Sequence, residues 1–332
     1  MISIQYGKAD NTDMMISYPY KEIFDRTEVF PEQISLVDHL NGFDSHLKNL
    51  VLNKLDIIAA TQNKRQVVIY HNILNDVVKQ QYTNLDLRFS FELQDYLNLS
   101  CMNGYKIHPR INIKNFLCSF NGSGHHSRKM LSSALNVFGY FNKEYCSKNT
   151  KFSNQELDEH IHYLSNNDRF YKKFFFNNNS DEFSQYINSF GHVRFDHANN
   201  IYNLENKLTE SFLHIVSETM ADSYHPFVTE KVLYSIVTRG LFVAYAQPGW
   251  HEHLEKYYGF KRYTKLFDYR FDNIFNPVER LVELMTMVGK FAHLSHADLY
   301  DLYLMEQDTI DFNHDHYFSG NYLTHLKQYD DR

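Results

Sequence analysis

Residues 211–259 read SFLHIVSE, TMADSYHPF, VTEKVLYSIVT, RG, LFVAYA, QPG, WHEHLEKYYG, and they constrain the fold more than any other stretch of the chain. SFLHIVSE (211–218) and LFVAYA (241–246) are short apolar runs of strand type. VTEKVLYSIVT and WHEHLEKYYG carry apolar residues at helical spacing, with Val232, Leu233, Ile236 and Val237 as the packing face of the first. Gly240 reads as a helix stop and Pro248-Gly249 as a turn. Strand, helix, strand, helix with joints this short implies parallel strands linked by right-handed crossovers, hence an α/β layer.

In an open α/β sheet the ligand crevice lies beyond the carboxyl ends of the strands. Glu218 closes the first strand and Thr229-Glu230-Lys231 opens the following helix, so both face that crevice. Thr229 suits the N-cap. A lysine and free backbone N–H groups at a helix start suit a phosphate, whereas a carboxylate repels phosphate and accepts from vicinal hydroxyls. The triplet therefore reads as a site for a nucleotide or nucleotide sugar. A solvated first turn, with Glu230 favoured by the helix dipole, and a loop-capping role for Glu218 remain the plainer alternatives.

An upstream segment has the same logic. NFLCSFN (115–121) is a buried-strand candidate, and KMLSSALNVFGYF (129–141) is a helix. Between them, FNGSGHHSR places Gly122, Ser123 and Gly124 in a loop and Arg128 one turn into the helix. Glycines let backbone amides approach an anion, and arginine holds a pyrophosphate bidentately. The loop matches neither a P-loop nor a dinucleotide fingerprint.

Together FLHIVSETMADSYHPFVTEKVLYSIVTRGLFVAYAQPGWHEHL and NFLCSFNGSGHHSRKMLSSAL resemble the donor-binding region of GT-B glycosyltransferases, closest to the fucosyltransferase-like group, over about residues 112–290. Many viral and phage glycosyltransferases share the layout. The resemblance implies α/β architecture of GT-B type: two Rossmann-like domains facing a cleft. It divides the chain into an acceptor-side domain (1–110), a nucleotide-sugar domain (111–295) and a helical segment (296–332) that packs back on the first domain. Arg128 and Lys231 would contact the diphosphate, with Gly122, Ser123 and Thr229 shaping its cradle, and Glu230 and Glu218 would take ribose or sugar hydroxyls. The implied activity moves a sugar from a nucleotide diphosphate sugar to a hydroxyl acceptor, a glycan among others, without a metal or further cofactor. The loop SETMADSYHPFVTEK departs from the family's usual Glu-Asn-Ser, which leaves the donor open.

The first hundred residues carry MISIQYG, QISLVDHL, LDIIAA and QVVIYHNIL as strand candidates, with FDSHLKNLVLNKL and FELQDYLNL as helices. The acceptor's base should come from this half, where Asp38 and Glu92 lead and His39 and His71 are of suitable type. Residues 142–208 read as irregular connections and short helices, NPVERLVELMTMVGKFAHL as a long helix with Pro277 in its first turn, and HADLYDLYLMEQD as another helix.

Bulk composition narrows the alternatives. Thirty-three basic against forty acidic residues give a net charge of −7, which disfavours a surface built to grip nucleic acid. A phage-type transferase acting on modified DNA bases stays as the alternative, with NKRQ (63–66), KIHPR (106–110) and KYYGFKRYTK (256–265) as its basic segments. A non-catalytic nucleotide-binding scaffold is the second. Three cysteines at unrelated spacings suggest neither a disulfide framework nor a zinc site. His-x-His pairs at 160–162 and 251–253, and DFNHDHY, sit mostly on helical patterns, where residues two apart diverge, so no metal site is expected. The N-terminus lacks a secretory pattern and no run reaches membrane-span length, so a cytoplasmic protein, in the host cytoplasm if viral, is expected.

Overall fold

The computed structural model describes residues 4–6, 13–17, 33–37, 45–70, 82–89, 110, 112–121, 126–140, 145–148, 200–218, 221, 226 and 228–329. They form a mixed α/β structure with two sheets. The first contains β1 (Ile4–Tyr6), β2 (Asp13–Ser17), β3 (Gln33–Val37), β4 (Gln66–Tyr70) and β5 (Leu85–Phe89) in sequential order. β1 runs antiparallel to β2 and the remaining pairs are parallel. Helix α1 (Ser45–Thr61) connects β3 to β4 and packs on β4 and β5.

LDIIAA, expected as a strand, lies inside α1. Alternation would have buried Leu55, Ile57 and Ala59 together. Instead Leu52, Leu55 and Ala59 face inward at helical spacing and Ile57 is 60% exposed. In this sheet two strands went unread, β2 and β5. In β5 the alternation is visible in retrospect: Leu85 and Leu87 are buried, while Arg88 Nε donates to Asp86 Oδ2 on the other side at 3.0 Å.

The second sheet contains β6 (Asn115–Asn121), β7 (Tyr145–Lys148), β8 (Ser211–Ser217) and β9 (Leu241–Tyr245) in the order β7-β6-β8-β9, all parallel. Around it run α2 (His126–Val137), α3 (Asn200–Glu210), α4 (Glu230–Val237), α5 (Trp250–Tyr258), a 3-10 turn (Tyr269–Asn273), α6 (Pro277–Gly289), α7 (His296–Met305), α8 (Gln307–Phe318) and α9 (Asn321–Lys327). β7 falls where irregular connections and short helices were expected and α3 begins within that stretch, while α7, α8 and α9 make up the helical segment expected at 296–332.

Every residue of β8 and β9 is buried, as a parallel sheet covered on both faces requires. Helices α3, α4 and α7 lie on one face; His214 of β8 hydrogen-bonds Ser235 of α4 there. Helices α2 and α6 lie on the other, where the Tyr245 hydroxyl donates to Pro277 O at 3.2 Å and approaches Met130 Sδ at 3.8 Å. From β6 the chain winds through α2 to β7 on one side, then returns through α3 to β8 on the other. The order therefore reverses between β6 and β8, and that gap is the switch point of the sheet.

The C-terminal helices find their packing partners in this second unit: α7 on β6 and β8, α8 on α4, and α9 on α5 and α8. Arg110 ties the entry of the unit to α3 and β8, donating from Nη2 to Leu208 O at 2.9 Å and from Nη1 to Ser211 O, with its guanidinium 4.7 Å from the Tyr303 ring. Edge strand β9 is blunted from within. His251 Nε2 accepts from Ala244 N at 2.9 Å, so the ring proton sits on Nδ1 and is donated to Asp272 Oδ1 at 2.6 Å.

Gly240 differs from the expected helix stop. Arg239 adopts the left-handed conformation at φ 53° and Gly240 follows it. Space at 240 is tight: a Cβ there would lie 3.3 Å from Ser235 O and 3.4 Å from Arg110 Nη2.

Candidate functional site

The switch point opens beyond Asn121, the last residue of β6, and Ser217, the last of β8. Two helices begin beside it from opposite faces of the sheet. α2 brings Ser127 and Arg128 in its first turn, both buried. α4 begins at Glu230, with Thr229 as its N-cap in extended backbone at φ −116° and ψ 172°.

Glu218 joins the two. It is fully buried. Its carboxylate accepts from Thr229 N at 3.0 Å and from Thr229 Oγ1 at 2.5 Å. Its backbone carbonyl accepts from Ser127 Oγ at 3.0 Å. The first turn of α2 and the N-cap of α4 are thus held to one residue at the end of β8. Having given its proton to Glu218, the Thr229 hydroxyl can only accept further, and it takes Lys231 Nζ at 3.0 Å and Lys231 N at 3.4 Å. The result is a Lys231–Thr229–Glu218 chain of charge-assisted bonds, which aims the ammonium along the start of α4. The Glu218 charge also adds to burial, the larger cause, in raising the Tyr258 phenol above its ordinary range.

Two polar atoms at the strand ends have no hydrogen-bond partner among the described residues: Asn121 Oδ1 and Ser217 Oγ. Asn121 is 0% and Ser217 2% exposed. The register that pairs Cys118 with His214 places them side by side, and Asn121 Nδ2 is held by Ser119 Oγ at 3.0 Å. An unsatisfied buried polar atom costs about 1–3 kcal/mol, so such a pair marks a place where a further donor or water belongs.

Arg128, Glu218, Thr229, Glu230 and Lys231 are therefore all at the carboxyl end of the second sheet, and Glu218, Thr229 and Lys231 are in direct contact. Gly122, Ser123, Asp38, Glu92, His39 and His71 lie outside the described residues. Ser127, Asn121 and Ser217 were not singled out from the sequence. The available signal was their position, since each ends a strand or starts a helix at the switch point.

No protein-family model, curated protein or solved structure matches this chain.

Among the described residues no cluster of three or more His, Cys, Asp or Glu side chains could hold a metal ion, and no helix is long and apolar enough to cross a membrane. Of the basic segments, KYYGFKRYTK has its cations engaged locally. Lys256 lies 4.7 Å over Tyr257, Lys261 3.8 Å over Phe312, and Arg262 Nε donates to Glu255 at 2.7 Å.

Proposed function

We propose that the chain is a glycosyltransferase of GT-B type, in which the second sheet binds a nucleotide diphosphate sugar at its switch point and the first unit presents the hydroxyl acceptor across a cleft. One observation carries the reading: the N-termini of α2 and α4 meet the same strand ends from opposite faces, stapled together by Glu218 and bearing Arg128 and Lys231. Helix starts supply oriented N–H groups and positive potential, and two cations complete a diphosphate site.

In this mechanism the acceptor oxygen forms a bond to the anomeric carbon while the bond from that carbon to the diphosphate oxygen breaks. The diphosphate departs with the electron pair, and Arg128, Lys231 and the helix N-termini offset its charge. The acceptor proton passes to a carboxylate of the first unit. Asp38 directly follows the last residue of β3 and Glu92 stands three positions beyond β5, so both follow carboxyl ends of parallel strands in chain order. Glu230 takes a pair of sugar or ribose hydroxyls. Glu218, whose two oxygens both accept from Thr229, is a positioning residue in this scheme rather than a ligand contact.

Isothermal titration of nucleoside diphosphates and their sugar conjugates against the protein and Lys231→Ala tests it. One nucleotide class should bind, and the substitution should weaken it about tenfold or more. Absence of binding by every class to folded protein would sink the reading. Binding without transfer to any hydroxyl acceptor would leave only a nucleotide-binding scaffold.

A further inference from the structure

The segment entering α6 carries an exposed aromatic residue just before an ordinary Asn-Pro helix start. It reads Asn-Ile-Phe-Asn-Pro, and Phe275 is 72% exposed. Leaving a phenylalanine in water forgoes about 1.5–3 kcal/mol of burial. Single exposed apolar residues are common, so exposure alone decides nothing. The surroundings of Phe275 decide more.

Its backbone is tied down on every side. Arg280, 1% exposed, donates from Nη1 to Phe275 O at 3.2 Å and to Ile274 O, and from Nη2 to Ala221 O. Asn276 Oδ1 accepts from Val278 N at 2.9 Å and Glu279 N at 3.2 Å, closing the N-cap of α6. Pro277, the next residue, has a fixed φ, and its carbonyl accepts from the Tyr245 hydroxyl at the end of β9.

These ties place the residue at one end of the sheet. Tyr245 is the last residue of β9, so the entry to α6 lies at the carboxyl end of the sheet. Ala221 belongs to the segment that leaves Glu218 and returns at Thr229, and one guanidinium joins it to Phe275. The Phe275 backbone is therefore held at the carboxyl end of the sheet and tied to the segment between β8 and α4, and its side chain is exposed there. Its backbone is fixed, so only the rotamer freedom of one two-torsion side chain is lost when something packs on it.

We propose that Phe275 is the stacking platform for the planar base of the nucleotide whose diphosphate lies between the starts of α2 and α4. The inference rests on the nucleotide reading above and adds the base-binding element that reading lacks. Stacking tolerates any base, because every base presents a π face, so Phe275 supplies affinity and leaves base selection to hydrogen-bonding groups.

The test is titration of ADP, GDP, UDP, CDP and inorganic pyrophosphate against the protein, Phe275→Ala and Phe275→Tyr. The substitutions are at an exposed position, and thermal melts confirm that each variant folds. Phe275→Ala should weaken the tightest nucleoside diphosphate about tenfold and leave pyrophosphate unchanged, with Phe275→Tyr restoring the affinity. Unchanged nucleoside diphosphate affinity in Phe275→Ala, or equal weakening of pyrophosphate, overturns the stacking role while the nucleotide site stands. If pyrophosphate binds but no nucleoside diphosphate binds more tightly, the base has no platform and the inference falls. If the parent protein binds none of the probes, the nucleotide reading itself is lost and takes this inference with it.

Discussion

The Glu218 carboxylate holds both the backbone N–H and the hydroxyl of Thr229, eleven residues further along the chain. One buried side chain thus closes the segment between β8 and α4 and sets the N-cap of the helix that carries Lys231.

Glu218→Gln retains the shape but turns one oxygen into an NH2 group, which faces a donor of Thr229. Loss of a charge-assisted contact in a buried position should lower stability by about 1.5–3 kcal/mol in urea unfolding. Thr229→Ser keeps the hydroxyl and should cost less than Thr229→Val, which removes the cap and the link to Lys231 together. Equal stability of Glu218→Gln and the parent would show that the carboxylate is dispensable.

His251 should prove a stability residue. His251→Leu leaves Ala244 N and Asp272 Oδ1 without their present partners inside the protein, each a loss of about 1–3 kcal/mol. Urea unfolding measures the sum, and hydrogen exchange at Ala244 should accelerate because β9 loses its edge cover. A neutral outcome would mean that water replaces the ring.

The end of α4 separates two uses of glycine. Gly240→Ala should destabilise by about 1 kcal/mol or more, because the backbone carbonyl of Ser235 and the guanidinium of Arg110 crowd the added methyl. Arg239→Gly relieves a left-handed residue, worth about 1 kcal/mol, and gives up a half-exposed ion pair with Asp311 of about 0–1 kcal/mol. Thermal melts should therefore place Arg239→Gly close to the parent and Gly240→Ala below it.

Two buried histidines predict acid sensitivity. Burial lowers His214 from 6.5 to about 3, and burial, with Lys256 adding and Asp272 opposing, lowers His253 to about 3. The unfolded chain takes up these protons near pH 6.5 and the folded chain does not. The contribution is therefore complete above pH 6.5 and is lost as pH falls from there toward 3, by about 1.4 kcal/mol per pH unit for each histidine. Urea midpoints at pH 7.5 and 5.0 should diverge less for His214→Gln than for the parent. An identical divergence would mean that His214 titrates alike in both states.

The order strand, helix, strand, helix from Ser211 to Tyr258, the N-cap at Thr229 and the start of α6 at Pro277 were determined by the sequence alone. Each rests on a local cause: the period of apolar residues, a hydroxyl before a helical run, a proline that fits only a first turn. The candidate site was legible to the same extent, as residues at strand ends and helix starts. LDIIAA was misread because a six-residue apolar run fits either period, and only its neighbours in three dimensions bury Leu55 and Ala59 while exposing Ile57. Tertiary structure alone decided that Glu218 binds Thr229 and Ser127, that His251 covers the edge of β9, and that Arg280 reaches back 59 positions to Ala221 while also holding Phe275 O. The Ser127–Glu218 contact arises because β8 returns to the far side of β6, and the others because the helices after β8 and β9 fold back on the strand ends, which no local pattern of residues states.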